Sequence, residues 1–216
     1  MRKTFDSELH DLGTEMIDMA AAAEDAIDLV TSSLASPDRR QAHQAIDLTH
    51  TMEQMERSIE NRCLRLLLQQ QPVARDLRTI SAALKMVTDL QRIGDQCANI
   101  AEISLLLAQN QAGSDLTHIR TMSQKAGFMV KRAIFAYVNR DQDAAGEVIG
   151  LDDEVDELFR TEKAELVELI LNNRESADQA IDLIIIAKYL ERIADHAVNI
   201  AQWAIYCVTG TLATPT

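Results

Sequence analysis

A segment near the middle of the chain returns near its end. Leu90-Gln-Arg-Ile-Gly-Asp-Gln-Cys-Ala-Asn-Ile-Ala101 overlays Leu190-Glu-Arg-Ile-Ala-Asp-His-Ala-Val-Asn-Ile-Ala201 at an offset of 100 residues (191 − 91), keeping Leu, Arg, Ile, Asp, Asn, Ile and Ala in place. Upstream segments align at an offset of 103 (122 − 19), pairing Met19 with Met122, Leu48 with Leu151, Thr49 with Asp152 and Glu53 with Asp156. Such self-similarity makes the chain a tandem duplication, so any fold assigned to it must be one that is built twice.

Each half reads as three helices. In the first, Leu9, Leu12, Met16, Met19, Ala23, Ala26, Ile27, Val30 and Leu34 recur at helical spacing up to Ser36-Pro37-Asp38. There Ser36 serves as an N-cap and Pro37 as the first helical residue of the next element. The second helix runs to about Gln70, where Gln71-Pro72 breaks it and opens a third that reaches about Leu107. Gln111-Ala-Gly-Ser114 is the clearest linker, with Ser114 placed to cap the next helix. Three more helices then span about 115–138, 142–172 and 177–208, with breaks near Asn139-Arg-Asp141 and Asn172-Asn-Arg-Glu-Ser176. The expected fold is all-α, two tandem three-helix bundles packed as one molecule, with boundaries at 1–110 and 111–216. Composition agrees: aromatics are 4% of the 216 residues, with 7 Gly and 3 Pro, a mixture that favours helices over sheets.

The repeated segment also carries the candidate chemistry. Residues four apart on a helix lie about 40° apart around its axis, so Glu191 and Asp195 share a face, and Asn199 extends the row. Ile186, Leu190, Ile193, Ala197 and Ile200 form an apolar stripe centred about 150° away, which places these acids on the outside of the bundle. On the fifth helix Asp152 and Asp156 are also four apart, beside Leu151, Val155 and Leu158. If helices five and six are antiparallel neighbours, the two pairs converge at a surface groove. Clustered carboxylates repel one another without a cation, so this is a candidate site for a hard or borderline cation such as magnesium, manganese, calcium or iron. A solubilising surface is the alternative reading of such acids.

Other features carry less. Asp47-Leu-Thr-His50 recurs as Asp115-Leu-Thr-His118, but its offset of 68 (115 − 47) fits neither repeat register, so coincidence is the preferred reading. His196 projects away from the acid row and is expected on the surface. Arg92 and Arg192 flank the acids and are expected in helix-surface ion pairs. Asp76 suits the positive end of the third helix. Cys63, Cys97 and Cys207 are odd in number and far apart, as core thiols in a reducing cytosol would be. The net charge of −13 disfavours a nucleic-acid partner. The apolar run Leu183 to Ala187 is too short to span a bilayer and the N-terminal stretch has no signal core, so a soluble, cytoplasmic protein is expected. No nucleophile with its base, phosphate-cradling Gly-rich loop or zincin motif is present in the sequence.

Gln69-Gln-Gln-Pro-Val-Ala-Arg-Asp-Leu-Arg78, Asp89-Leu-Gln-Arg-Ile-Gly-Asp95 and Tyr189-Leu-Glu-Arg-Ile-Ala-Asp-His-Ala-Val-Asn-Ile-Ala201 resemble the PhoU family of phosphate-uptake regulators over essentially the whole chain. The resemblance implies a cytoplasmic negative regulator of phosphate uptake that is not an enzyme. It also implies an adaptor role between the ATPase subunit of the phosphate ABC transporter and a sensor histidine kinase, and a homodimer. It further implies metal at the acidic motifs, with iron, zinc, manganese or magnesium as the candidates. Carried over by position, the stronger site is Asp152, Asp156, Glu191 and Asp195. The weaker is Glu53, Gln91 and Asp95, because Gln91 stands where an acid is usual and Thr49 matches Asp152. The competing reading is a metal-binding carboxylate bundle of oxidase or storage type, which needs its ligands inside the core.

Overall fold

The computed structural model describes residues 2–35, 39–70, 72–107 and 116–211. Six α-helices account for nearly all of them: α1 (Arg2–Ala35), α2 (Arg39–Gln70), α3 (Ala74–Leu107), α4 (Thr117–Asn139), α5 (Gln142–Asn172) and α6 (Ala177–Thr209), with one 3-10 turn at Arg174–Ser176. The expected caps at Ser36 and Ser114 lie outside the described residues.

The breaks that are described have local causes. Arg140 takes a left-handed conformation (φ 56°) that ends α4, and the Asp141 amide turns back to the Ala136 carbonyl at 2.9 Å. The Asp141 side chain then accepts from the Ala144 amide and caps α5. At the far end of α5 the Asn173 side chain accepts from the Glu175 amide and starts the short turn that leads into α6.

The periodic apolar residues point inward as their spacing requires. Leu12, Met16, Met19, Ala23, Ala26 and Val30 of α1 are completely buried, as are Leu90, Ile93, Ile100, Ile186, Ile193 and Ile200. Each large side chain of this kind contributes about 1.5–3 kcal/mol by leaving water. Helices α1, α2 and α3 pack mutually, and so do α4, α5 and α6. The halves join where α1 meets α4 and α3 meets α6, each helix against its own repeat partner, the signature of an approximate two-fold. Among the described helices α2 touches only α1 and α3, and α5 only α4 and α6, apart from the short turn after it, so both lie at the outer edges.

Polar contacts fasten this seam. Thr31 bonds Ser123, Lys131 pairs with Glu24 at 3.2 Å, and the Tyr137 hydroxyl donates to the Thr79 carbonyl at 3.2 Å. All three cysteines are free and buried, and burial pushes the Cys63 thiol up to about 12 and that of Cys207 to about 11, as expected of core thiols. Among the described residues no helix is long and apolar enough to cross a membrane.

Candidate functional site

The acids of the second half do converge. Asp152 and Asp156 follow each other one turn apart on α5 around buried Val155, and Glu191 and Asp195 do the same on α6 around buried Ile193 and Ala194. The carboxyl of Asp152 is pushed up to about 6, first because it is partly buried and then by the surrounding charges of Asp195, Asp156, Glu191 and Asp153. One of its oxygens, Oδ1, is buried without a hydrogen-bond partner. Desolvation also raises Asp195, opposed by Lys188 and reinforced by Asp156. Four carboxylates of two helices therefore share one electrostatic neighbourhood.

Their setting is only in part the outward-facing one expected: Asp195 is exposed, but the others are not. The Glu191 side chain is only 12% exposed and Asp152 is half-buried. The reason is geometric: α6 packs against α3, α4 and α5 together, so its buried arc is wider than a stripe facing one neighbour, and position 191 falls at the α5 edge of it. Nor is the groove a closed ligand cage, since these oxygens are not all within 4.8 Å of one another. A cation is already there. The Lys188 ammonium bonds both oxygens of Glu191 and lies 5.3 Å from the centre of the Phe159 ring. Lys188 precedes Glu191 by three residues, so this i,i+3 pair was legible in the sequence.

Glu53, Gln91 and Asp95 of the first half line one cleft of about 310 Å³ between α2 and α3, together with Glu56, Arg57, Thr88 and Arg92. Gln91 is buried, donates to Asp95 at 3.1 Å, and leaves its own Oε1 unpartnered. Arg92 pairs with Asp95 at 3.4 Å, as expected, whereas Arg192 is exposed and acts on Asp195 through charge alone. Thr49 does not open a ligand position; its buried hydroxyl lies 3.1 Å from both the Ala45 and Gly94 carbonyls. Glu56 is the residue that repeat alignment passes over, because its counterpart is Phe159. Partial burial and the charges of Glu60 and Asp95 raise its carboxyl. It lies three residues after Glu53, on the same face, and restores a third acid to the cleft.

Two further expectations change. His196 is not a free surface group but sits half-buried on the seam, its Nδ1 2.9 Å from Asp89 on α3. Asn199 does not extend the acid row; it donates to the same Asp89 oxygen at 3.3 Å. Asp89 thus takes two side chains from α6 and locks the halves in register. Asp76 stands in the first turn of α3, as expected. Asp115 is outside the described residues, and among those described the one buried carboxylate is Glu162, so the acids do not form the multi-ligand core that a carboxylate oxidase requires.

The model of the PhoU domain matches residues 16–104 and again 119–204, once on each half. The chain belongs to the PhoU family. A phosphate-specific transport system accessory protein PhoU homolog of Clostridium acetobutylicum is 35% identical over 97% of this chain and 96% of its own, and one from Aquifex aeolicus is 36% identical over 95% and 93%. The crystal structure of PhoU from Pseudomonas aeruginosa superposes with a TM-score of 0.92 at 32% identity, covering 96% of this chain and all of that one. That of the phosphate transport system regulatory protein PhoU from Streptococcus pneumoniae gives 0.90 at 27%. The PhoU fold thus accounts for both repeats, and the two acidic clefts occupy the same place in each.

Proposed function

We propose that this PhoU-family chain is a negative regulator of phosphate uptake and of the phosphate-starvation response. It acts as a cytoplasmic, homodimeric adaptor between the ATPase subunit of a phosphate ABC transporter and a sensor histidine kinase. The observation that carries this reading is the end-to-end match to proteins named as accessory to phosphate-specific transport. The acidic clefts support it, since clustered carboxylates on a chain of net charge −13 suit basic protein surfaces and divalent cations. In this reading Asp152, Asp156, Glu191 and Asp195 take a divalent cation such as iron, zinc, manganese or magnesium after Lys188 releases Glu191. The cleft of Glu53, Gln91 and Asp95 takes it more weakly, because two neutral side chains stand in place of carboxylates.

Deleting the gene and following phosphate uptake and starvation-gene expression in high phosphate tests the role. Derepression is expected, and unchanged expression would overturn the reading. Capture of the transporter ATPase by the purified chain tests the adaptor step separately. Metal per chain in wild type and Glu191→Ala/Asp195→Ala tests the groove: occupancy should drop, and full occupancy in the variant would remove the metal from this account.

A further inference from the structure

Away from the groove, the start of α4 and the later part of α5 bring together three side chains that the regulatory reading leaves unused. His118 Nδ1 lies 3.1 Å from Oε2 of Glu162 and 3.5 Å from Oε2 of Glu165. Their donor atoms all lie within 4.8 Å of one another, and among the described residues no other trio of His, Cys, Asp or Glu does so. Glu162 and Glu165 are three apart on α5 and so face the same way. Side-chain exposure grades from 4% at Glu162 through 31% at His118 to 62% at Glu165, an arrangement with a buried floor and an open side.

The spacing suits one ion. With metal–ligand distances of about 2.0–2.2 Å, neighbouring donors stand about 3 Å apart in octahedral and about 3.4 Å apart in tetrahedral geometry. The two imidazole–carboxylate separations, 3.1 and 3.5 Å, lie close to these values. One nitrogen with two carboxylate oxygens is a donor set for zinc or a neighbouring first-row dication rather than for magnesium or calcium.

The first half shows what the same positions do without such a donor set. At the repeat offset of 103, His118, Glu162 and Glu165 correspond to Glu15, Ile59 and Arg62. There Arg62 grips Glu15 through two bonds of 2.9 Å and also reaches Glu8 at 2.6 Å and Asp11 at 3.6 Å, while Ile59 is buried apolar core. In the second half a carboxylate stands in place of the guanidinium, an imidazole in place of Glu15, and a second carboxylate in place of the isoleucine. Two of these changes place a ligand type where the first half has none, and the third exchanges a carboxylate for an imidazole. One dication among His118, Glu162 and Glu165 would take an oxygen from each acid while leaving the imidazole neutral.

We propose that His118, Glu162 and Glu165 bind one zinc-like dication, with solvent completing its coordination from the Glu165 side. The site is distinct from the groove: Glu162 lies six residues beyond Asp156, about 9 Å along α5. The bound ion cross-links the start of α4 to α5.

The test titrates the chelator-stripped full chain with zinc and with cobalt, reading stoichiometry, competition affinity and the cobalt absorption spectrum. His118→Ala and the exposed Glu165→Ala should each weaken one zinc equivalent by about 100-fold, at least the effect of disturbing a ligand's supporting shell, with the metal-free far-ultraviolet spectrum unchanged. Glu191→Ala/Asp195→Ala should retain that equivalent and its cobalt band. The assignment is overturned if His118→Ala binds every zinc equivalent with wild-type affinity, or if the groove variant loses the same equivalent.

Discussion

At position 49 of α2 and position 152 of α5 the two halves offer the same turn of the same helix to different ends. Thr49 directs its hydroxyl at backbone carbonyls of its own helix and of α3, a closed arrangement that asks nothing of solvent. Asp152 holds a partly buried carboxylate with an unpartnered oxygen among four other acids. The helix packing beneath also differs in detail: Gly94 lets Met52 approach closely, whereas the repeat register puts buried Ala194 and the smaller, buried Val155 at the corresponding positions. Along the α3 and α6 stripes, by contrast, Leu90 and Leu190, Ile93 and Ile193, and Ile100 and Ile200 are identical and buried. Duplication preserved what packing requires and released what only the grooves use, so charge could diverge on a constant frame.

That contrast predicts equal costs in the core and unequal ones at the surface. Ile93→Ala and Ile193→Ala should each lose about 3–4 kcal/mol in denaturant unfolding, the usual result of emptying a buried isoleucine site. Costs differing by more than about 2 kcal/mol would mean that the cores are not equivalent. Arg62→Ala should lose about 2 kcal/mol, between the values for exposed and buried ion pairs, because Glu8, Asp11 and Glu15 are left without their shared cation. High salt should shrink that loss. His118→Ala in metal-free protein should cost distinctly less.

Asp152 supplies a pH dependence with no counterpart at Thr49. Its carboxyl rises from 3.8 to about 6 on folding, so its contribution is fully present below pH 3.8 and fades as pH climbs through about 6. Without metal, Asp152→Asn should match wild type near pH 4 and exceed it by about 1 kcal/mol at pH 8, a figure reduced for solvent screening. Thermal melts across that range would show it, and a pH-independent difference would contradict burial and neighbouring charge as the cause. The smallest effect is expected for Gly94→Ala. The new methyl would lie 3.1 Å from the Met52 sulfur, a flexible side chain that can yield, while the helix gains about 1 kcal/mol of intrinsic preference. A net change within about 0.5 kcal/mol should result, and a large loss would show that Met52 is held fast.

Much of this frame is legible in the residues. Apolar periodicity and the Pro72, Asn139–Asp141 and Asn172–Ser176 breaks place the six helices within a few residues of where they lie. The four-residue spacing of Asp152 and Asp156 and of Glu191 and Asp195, on helices expected to be antiparallel neighbours, already has the two pairs converge. What sequence does not supply is the wide buried arc of α6, which draws Glu191 inward, and the seam partner of His196, which lies 107 residues away on α3. Glu56 is hidden for a different reason: matching repeats finds what the halves share, and this acid belongs to one of them alone. His118 stands out in the sequence only through the recurrence of Asp115-Leu-Thr-His118, which does not point to Glu162 and Glu165, distant along the chain.

Lys188 gives the second groove a resident competitor. Its ammonium is covalently tethered beside Glu191 and steadied by the Phe159 ring, so it is present at the same local concentration whatever the ions outside. A monovalent cation gains no charge by displacing it, whereas a dication does, and so does a cluster of basic residues on another protein. On the proposed reading of the groove, the lysine is a valence filter, turning a generally acidic surface into one that answers to concentrated positive charge.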